Sequence, residues 1–209
     1  MKFIKPAEIE RRSFELIENE LPLPLNPNLA PVIMRVIHAT ADFEYLETLV
    51  FSEGVIEHAV AALQRGVSIV SDTEMVKAGV DKKRLAAFGG DLLCFMHDAD
   101  VVRAAKQNGS SRAKAAMNKA AAIDKPLIFA IGNAPTALLE ICKLKQAGRL
   151  LPELVIGVPV GFVNVVESKD VLMRSGLRYI TARGRKGGSS VAAAICNALL
   201  RIATGDYHV

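Results

Sequence analysis

Five short apolar runs set the pattern of this 209-residue chain. They fall at residues 67–70, 92–95, 127–131, 154–158 and 177–180, and helical patterns lie between and after them, most clearly over 134–147 and 189–203. In the last helical stretch Val191, Ile195, Ala198, Leu199 and Ile202 recur at helical spacing. Continuous apolar runs suit strands buried on both faces, and strands alternating with helices require a parallel sheet covered on either side. The expected fold is α/β, with a mainly parallel sheet of about five strands and extra N-terminal helices. No internal repeat and no Gly-, Ser- or Pro-rich linker divides the chain, so residues 1–209 are expected to form one domain.

Ahead of the first run, residues 6–19 predict a helix with Pro6 at its first position and Ile9, Ser13, Leu16 and Ile17 on one face. Ser13 interrupts that stripe. Pro22, Pro24, Pro27 and Pro31 deny residues 21–31 both helix and ladder bonds until the last one or two can open a new helix, which makes the segment an extended connector. The next helix turns Val32, Ile33, Val36 and Ile37 to one side, and His38 projects almost opposite them, one turn after Arg35.

Lys and Arg number 26 against 22 Asp and Glu, and the resulting net charge of +4 favours an anionic partner. Nucleic acid is not expected, because Trp is absent and no dense basic stripe occurs. The longest uncharged stretches, 21–34, 126–139 and 187–200, fall short of the roughly 18 residues of a spanning helix. The chain opens Met1-Lys2-Phe3-Ile4-Lys5 and enters a charged helical pattern without an apolar export segment, so a cytoplasmic protein is expected. Cys94, Cys142 and Cys196 are odd in number, far apart and never CxxC, and are read as small core residues. His38, His58, His97 and His208 form no ligand motif, and no metal site is expected.

Ligands of open parallel sheets bind outside the carboxyl ends of the strands. The segments there are small, polar and glycine-rich: 71–74, Gly132-Asn133-Ala134-Pro135-Thr136, 159–164 and 181–190. Glycine lets backbone N–H groups approach a ligand, and a helix beginning at Pro135 or Ser189 favours an anion. Arg183 and Arg185 could each hold a carboxylate or phosphate bidentately, with Lys186 beside them. Taken alone, Gly184-Arg185-Lys186-Gly187-Gly188-Ser189-Ser190 also fits a plain helix start with solvated cations, but several such loops at one edge favour a binding site. Neither GxxxxGK[ST] nor GxGxxG after a strand occurs, so nucleotide binding has no motif behind it. His38 has two readings: a general acid or base titrating near neutrality, or an exposed helix-end histidine favoured by the dipole.

Six blocks carry a family resemblance: Ile37-His38-Ala39-Thr40-Ala41-Asp42-Phe43-Glu44-Tyr45, Asp72-Thr73-Glu74-Met75-Val76, Ile131-Gly132-Asn133-Ala134-Pro135-Thr136-Ala137-Leu138, Gly157-Val158-Pro159-Val160-Gly161-Phe162-Val163, Glu167-Ser168-Lys169 and Arg183-Gly184-Arg185-Lys186-Gly187-Gly188-Ser189. In this order and spacing the chain resembles the precorrin-8X methylmutases of the cobalamin pathway. The resemblance runs from Arg12-Ser13-Phe14 to the last helix.

It implies a flavodoxin-like sheet, a homodimer holding its corrinoid substrate where subunits meet, and an intramolecular methyl migration from ring carbon 11 to ring carbon 12. The product is hydrogenobyrinate, or cobyrinate when cobalt is already inserted. No cofactor is implied; cobalt, if present, arrives inside the substrate. By resemblance His38 is the catalytic histidine, delivering a proton to the macrocycle, and Ser13, Arg35, Arg112 and Asn133 match substrate-contacting positions. Thr40, Arg183, Gly187, Gly188 and Ser189 complete the expected substrate-binding set. Ala39-Thr40-Ala41-Asp42 is more similar to the branch whose substrate already holds cobalt. Two other readings stand beside this one: a non-catalytic carrier of the acidic corrinoid product and, more distantly, a phosphate-ester enzyme.

Overall fold

The computed structural model describes residues 5–22 and 24–206; the opening four residues, on which the expectation about export rests, and His208 lie outside the described residues. Two helices lead, α1 (Pro6–Glu20) and α2 (Ala30–Thr40), followed by α3 (Tyr45–Thr48), β1 (Leu49–Phe51) and α4 (Val55–Gln64). Next come β2 (Ser68–Ser71), α5 (Glu74–Gly79), α6 (Lys82–Ala87), β3 (Leu92–Cys94), α7 (Ala99–Gln107) and α8 (Arg112–Ala120). The chain closes with β4 (Leu127–Ile131), α9 (Pro135–Gln146), β5 (Leu154–Gly157), α10 (Val165–Arg174), β6 (Tyr179–Ala182) and α11 (Ser189–Ala203).

The strands form one sheet in the order β1-β6-β5-β4-β2-β3, parallel throughout except for β1, which pairs antiparallel with β6. Counted alone in chain order, the five parallel strands run 2-1-3-4-5, the doubly wound order of flavodoxin-like sheets. The α/β expectation is met with one correction: the sheet has six strands, not five. The added strand follows α3 directly, and its Leu49↔Ala182 and Val50↔Thr181 pairing is a tertiary event.

The apolar runs are continuous because each strand feeds two cores. Along β4, Ile128 and Ala130 face a core shared with α2, α4 and α11, while Leu127, Phe129 and Ile131 face one shared with α8 and α9. Helix α11 is the main wedge of the first core, with its alanines letting neighbouring helices approach closely. Of the two N-terminal helices, α2 belongs to the first core and α1 packs on α2. Here the sequence pattern is only partly met: Ile9 and Leu16 are 52% and 55% exposed, while α1 buries Phe14 and turns Ile17 to the core. The three cysteines are buried and free, as expected. No helix of the described residues is long and apolar enough to cross a membrane.

Candidate active site

The strand order reverses between β2 and β4, and the loops after these two strands meet there. Asp72, fully buried just past β2, accepts hydrogen bonds from the backbone N–H groups of Gly132 (2.9 Å), Asn133 (2.8 Å) and Ala134 (2.6 Å). Burial pushes its carboxyl above the usual carboxylate range while the three donors pull against that shift. The amides expected to greet a ligand at this loop are therefore engaged internally, which corrects the sequence reading of the Pro135 helix start. The Asn133 side chain remains exposed. Ser111 caps α8 and its hydroxyl meets that of Thr136 at 2.8 Å, which brings Arg112, exposed, to the same edge.

The segment after β6 is pinned on several sides. Gly188 N–H donates to the Val158 carbonyl at 2.8 Å, and Gly161 N–H donates to the Arg185 carbonyl at 3.2 Å. A Cβ on Gly187 would lie 2.2 Å from the Val158 oxygen, so only glycine passes this crossing. Ser189, at the start of α11, shares a 3.0 Å hydroxyl contact with Thr73. Lys186 turns away from any ligand and pairs with Asp42 (2.6 Å) and Glu44 (2.7 Å), holding the segment to the end of α2. Arg183 and Arg185 stay exposed, the latter with its guanidinium carbon 5.3 Å from the ring centre of Phe162, itself 83% exposed.

His38 is exposed in the last turn of α2, four positions before Asp42, and Ala41 between them turns the chain out of the helix in the left-handed region. Its ring stacks on Phe14 with centroids 4.9 Å apart and planes 22° apart. Arg35 lies over that same phenyl ring at 4.5 Å and pairs with Glu10, which also accepts from Arg201 at 3.1 Å. Burial and the Arg35 cation hold the His38 imidazole below the ordinary histidine value, and Glu10 opposes them. Arg35 is only 12% exposed and engaged with Glu10, so its charge reaches His38 as a field and its head is not free. The hydroxyls of Ser13 and Thr40 each bond back to their own helix, to the Ile9 and Val36 carbonyls at 2.8 Å.

Ser13, Arg35, His38 and Thr40 thus gather on α1 and α2, while Arg112, Asn133, Arg183, Gly187, Gly188 and Ser189 stand along the sheet's carboxyl edge; Lys186 with Asp42 and Glu44 ties the two groups together. Sequence reasoning assigned no role to Glu10, Phe14, Asp72 and Lys169. Asp72 and Lys169 lie within the resembling blocks, but nothing local says that either side chain is buried.

Fold and site together define a doubly wound α/β protein whose sheet edge carries guanidinium groups suited to an acidic ligand, with an exposed imidazole on the helix tied to that edge. The family described as precorrin-8X methylmutase matches residues 8–202. The cobalt-precorrin-8 methylmutase of Priestia megaterium is 43% identical over 94% of this chain and 88% of its own length. That of Salmonella typhimurium is 42% identical over 98% and 96%. The precorrin-8X methylmutase structure from Thermus thermophilus superposes with a TM-score of 0.86 at 39% identity, covering 95% of this chain and 98% of that one. The chain belongs to the precorrin-8X methylmutase family, isomerases of cobalamin biosynthesis.

Proposed function

We propose that this isomerase moves a methyl group from ring carbon 11 to ring carbon 12 of a contracted, many-acid tetrapyrrole, with His38 as the proton donor. The observation that carries this reading is His38 itself: an exposed imidazole stacked on Phe14, at the end of the helix that Asp42 and Lys186 tie to the segment bearing Arg183 and Arg185. Isomerisation leaves composition unchanged, so a proton given to one atom of the macrocycle is returned from another and the imidazole ends as it began. In the free protein the lowered His38 value favours the neutral ring at pH 7. A polyanionic substrate supplies the opposing field: its carboxylates beside the imidazole favour the charged form and load the proton where it is needed.

Arg183 and Arg185, with Arg112 and Asn133 further along the edge, would grip the acetate and propionate groups, and Ser13, Thr40, Gly187, Gly188 and Ser189 would line the remainder. Within one molecule a methyl shift needs no external carrier, so the protein works without a cofactor and any cobalt is part of the substrate. The relatives named for cobalt-precorrin-8 favour the cobalt-containing form. Those names lend nothing to a carrier role. The enzyme belongs in the cytoplasm on this reading, where its three free cysteines stay reduced.

Purified protein mixed with precorrin-8X or its cobalt form should convert the visible spectrum to that of the corrin chromophore; absence of turnover with both sinks the assignment. The reading also includes a homodimer with the pocket near the interface. The apolar side chains of Phe162 and Val163, 83% and 77% exposed at the carboxyl edge, support it. Sedimentation is expected to give twice the mass of one chain, and a monomer at micromolar concentration would contradict it.

A further inference from the structure

Lys169 stands in the second turn of α10 and is 1% exposed. No carboxylate pairs with it among the described residues; its ammonium donates to the Gly184 carbonyl at 2.9 Å and the Lys186 carbonyl at 2.7 Å. A buried cation without a counter-charge is costly, and burial lowers this one to about 8. What it secures is an orientation. In a trans peptide the N–H lies opposite the C=O of the same plane. Carbonyls of Gly184 and Lys186 drawn toward the ammonium therefore turn the N–H groups of Arg185 and Gly187 away from it. Those two N–H groups have no acceptor among the described residues.

We infer that Lys169 is a positioning residue for the methylmutase reaction, setting the amides of Arg185 and Gly187, together with the Arg183 and Arg185 guanidinium groups, as a receptor for one carboxylate of the substrate. This rests on the function proposed above. The receptor is built from the backbone of 184–187, backed by the buried ammonium and held in place by the Gly161 and Gly188 bonds and by Lys186. Amide donors fixed in advance lose no freedom when the carboxylate arrives.

In Lys169→Met the two carbonyls lose their donor and the strand of the receptor can rotate. Hydrogenobyrinate should bind about 10-fold to 100-fold more weakly and KM should rise alike, the loss expected of hydrogen bonds to a charged group. Saturated turnover should stay within about threefold, since His38 is untouched. Arg185→Ala should weaken binding less in the Lys169→Met background than in the wild type, because one receptor is being dismantled twice. In the wild-type enzyme the amide resonances of Arg185 and Gly187 should move downfield as hydrogenobyrinate is added. If Lys169→Met lowers only thermal stability and leaves KM unchanged, or if those two resonances stay put in an enzyme that turns over, the inference fails while the proposed function stands. A wild type that converts neither precorrin form brings down the function itself.

Discussion

His38→Ala is expected to lose methyl migration, with turnover down by about 10²-fold to 10⁴-fold, the range carried by a positioned acid or base. Hydrogenobyrinate affinity should hardly change, because the guanidinium groups and amides proposed to grip the acid side chains lie on other elements. Stability should also hold to within about 0.5 kcal/mol, since the side chain is exposed and its one packing partner, Phe14, stays buried. Retained turnover in this variant, followed by the visible spectrum of the product, would remove His38 from the chemistry.

The pH profile tests the same assignment. If protonated imidazole is the acid, rates fall as pH rises through its pKa. For kcat/KM, which reports the free enzyme, that limb should lie below the ordinary histidine value, because burial and Arg35 lower it. For kcat, which reports the complex, it should lie higher, raised by the substrate's carboxylates. Glu10→Gln removes the one neighbour that pulls His38 upward and should push the free-enzyme limb lower still. Coincident limbs for the two parameters would refute the idea that the substrate loads the proton.

Asp72→Ala is expected to be the most damaging single change to the fold. It leaves three N–H donors, those of Gly132 and Ala134 buried and that of Asn133 part-buried, without their acceptor at the seam between β2 and β4. Each unsatisfied donor costs about 1–3 kcal/mol, so the total approaches the roughly 5–15 kcal/mol that holds a domain of ordinary stability. Asp72→Asn retains one acceptor oxygen but sets an amide N–H₂ against a donor, so it should fall between wild type and alanine. Urea unfolding checks this through the midpoint. An alanine variant with a wild-type midpoint would mean that water replaces the carboxylate at no cost.

Legibility differed by element for identifiable reasons. The five parallel strands and the helices α2, α9 and α11 were readable because burial on two faces, or along one stripe, writes itself into spacing. Helix α1 was readable in extent but only partly in facing: Phe14 is the buried residue, and Ile9 and Leu16 look outward. Strand β1 was invisible, since it follows α3 without a break and is defined by its antiparallel pairing with the distant β6. At the candidate site the residue types were legible, His38, Arg183, Arg185 and the glycine pairs among them, but their engagements were not. Arg35 matches a substrate-contacting position by resemblance, but its pairing with Glu10, 25 positions away, could not be read from the spacing.

Hydrophobic periodicity and glycine placement, both local properties of the chain, determined the layered α/β order, the edge at which chemistry is expected and the exposure of His38. Only the tertiary structure decided which polar groups remain available to a ligand. Asp72 closes one amide cluster from 60 residues away, and Lys169 opens another from 15 and 17 residues away. A hydrogen bond depends on distance and direction in space, and sequence spacing fixes neither once a loop or a helix intervenes.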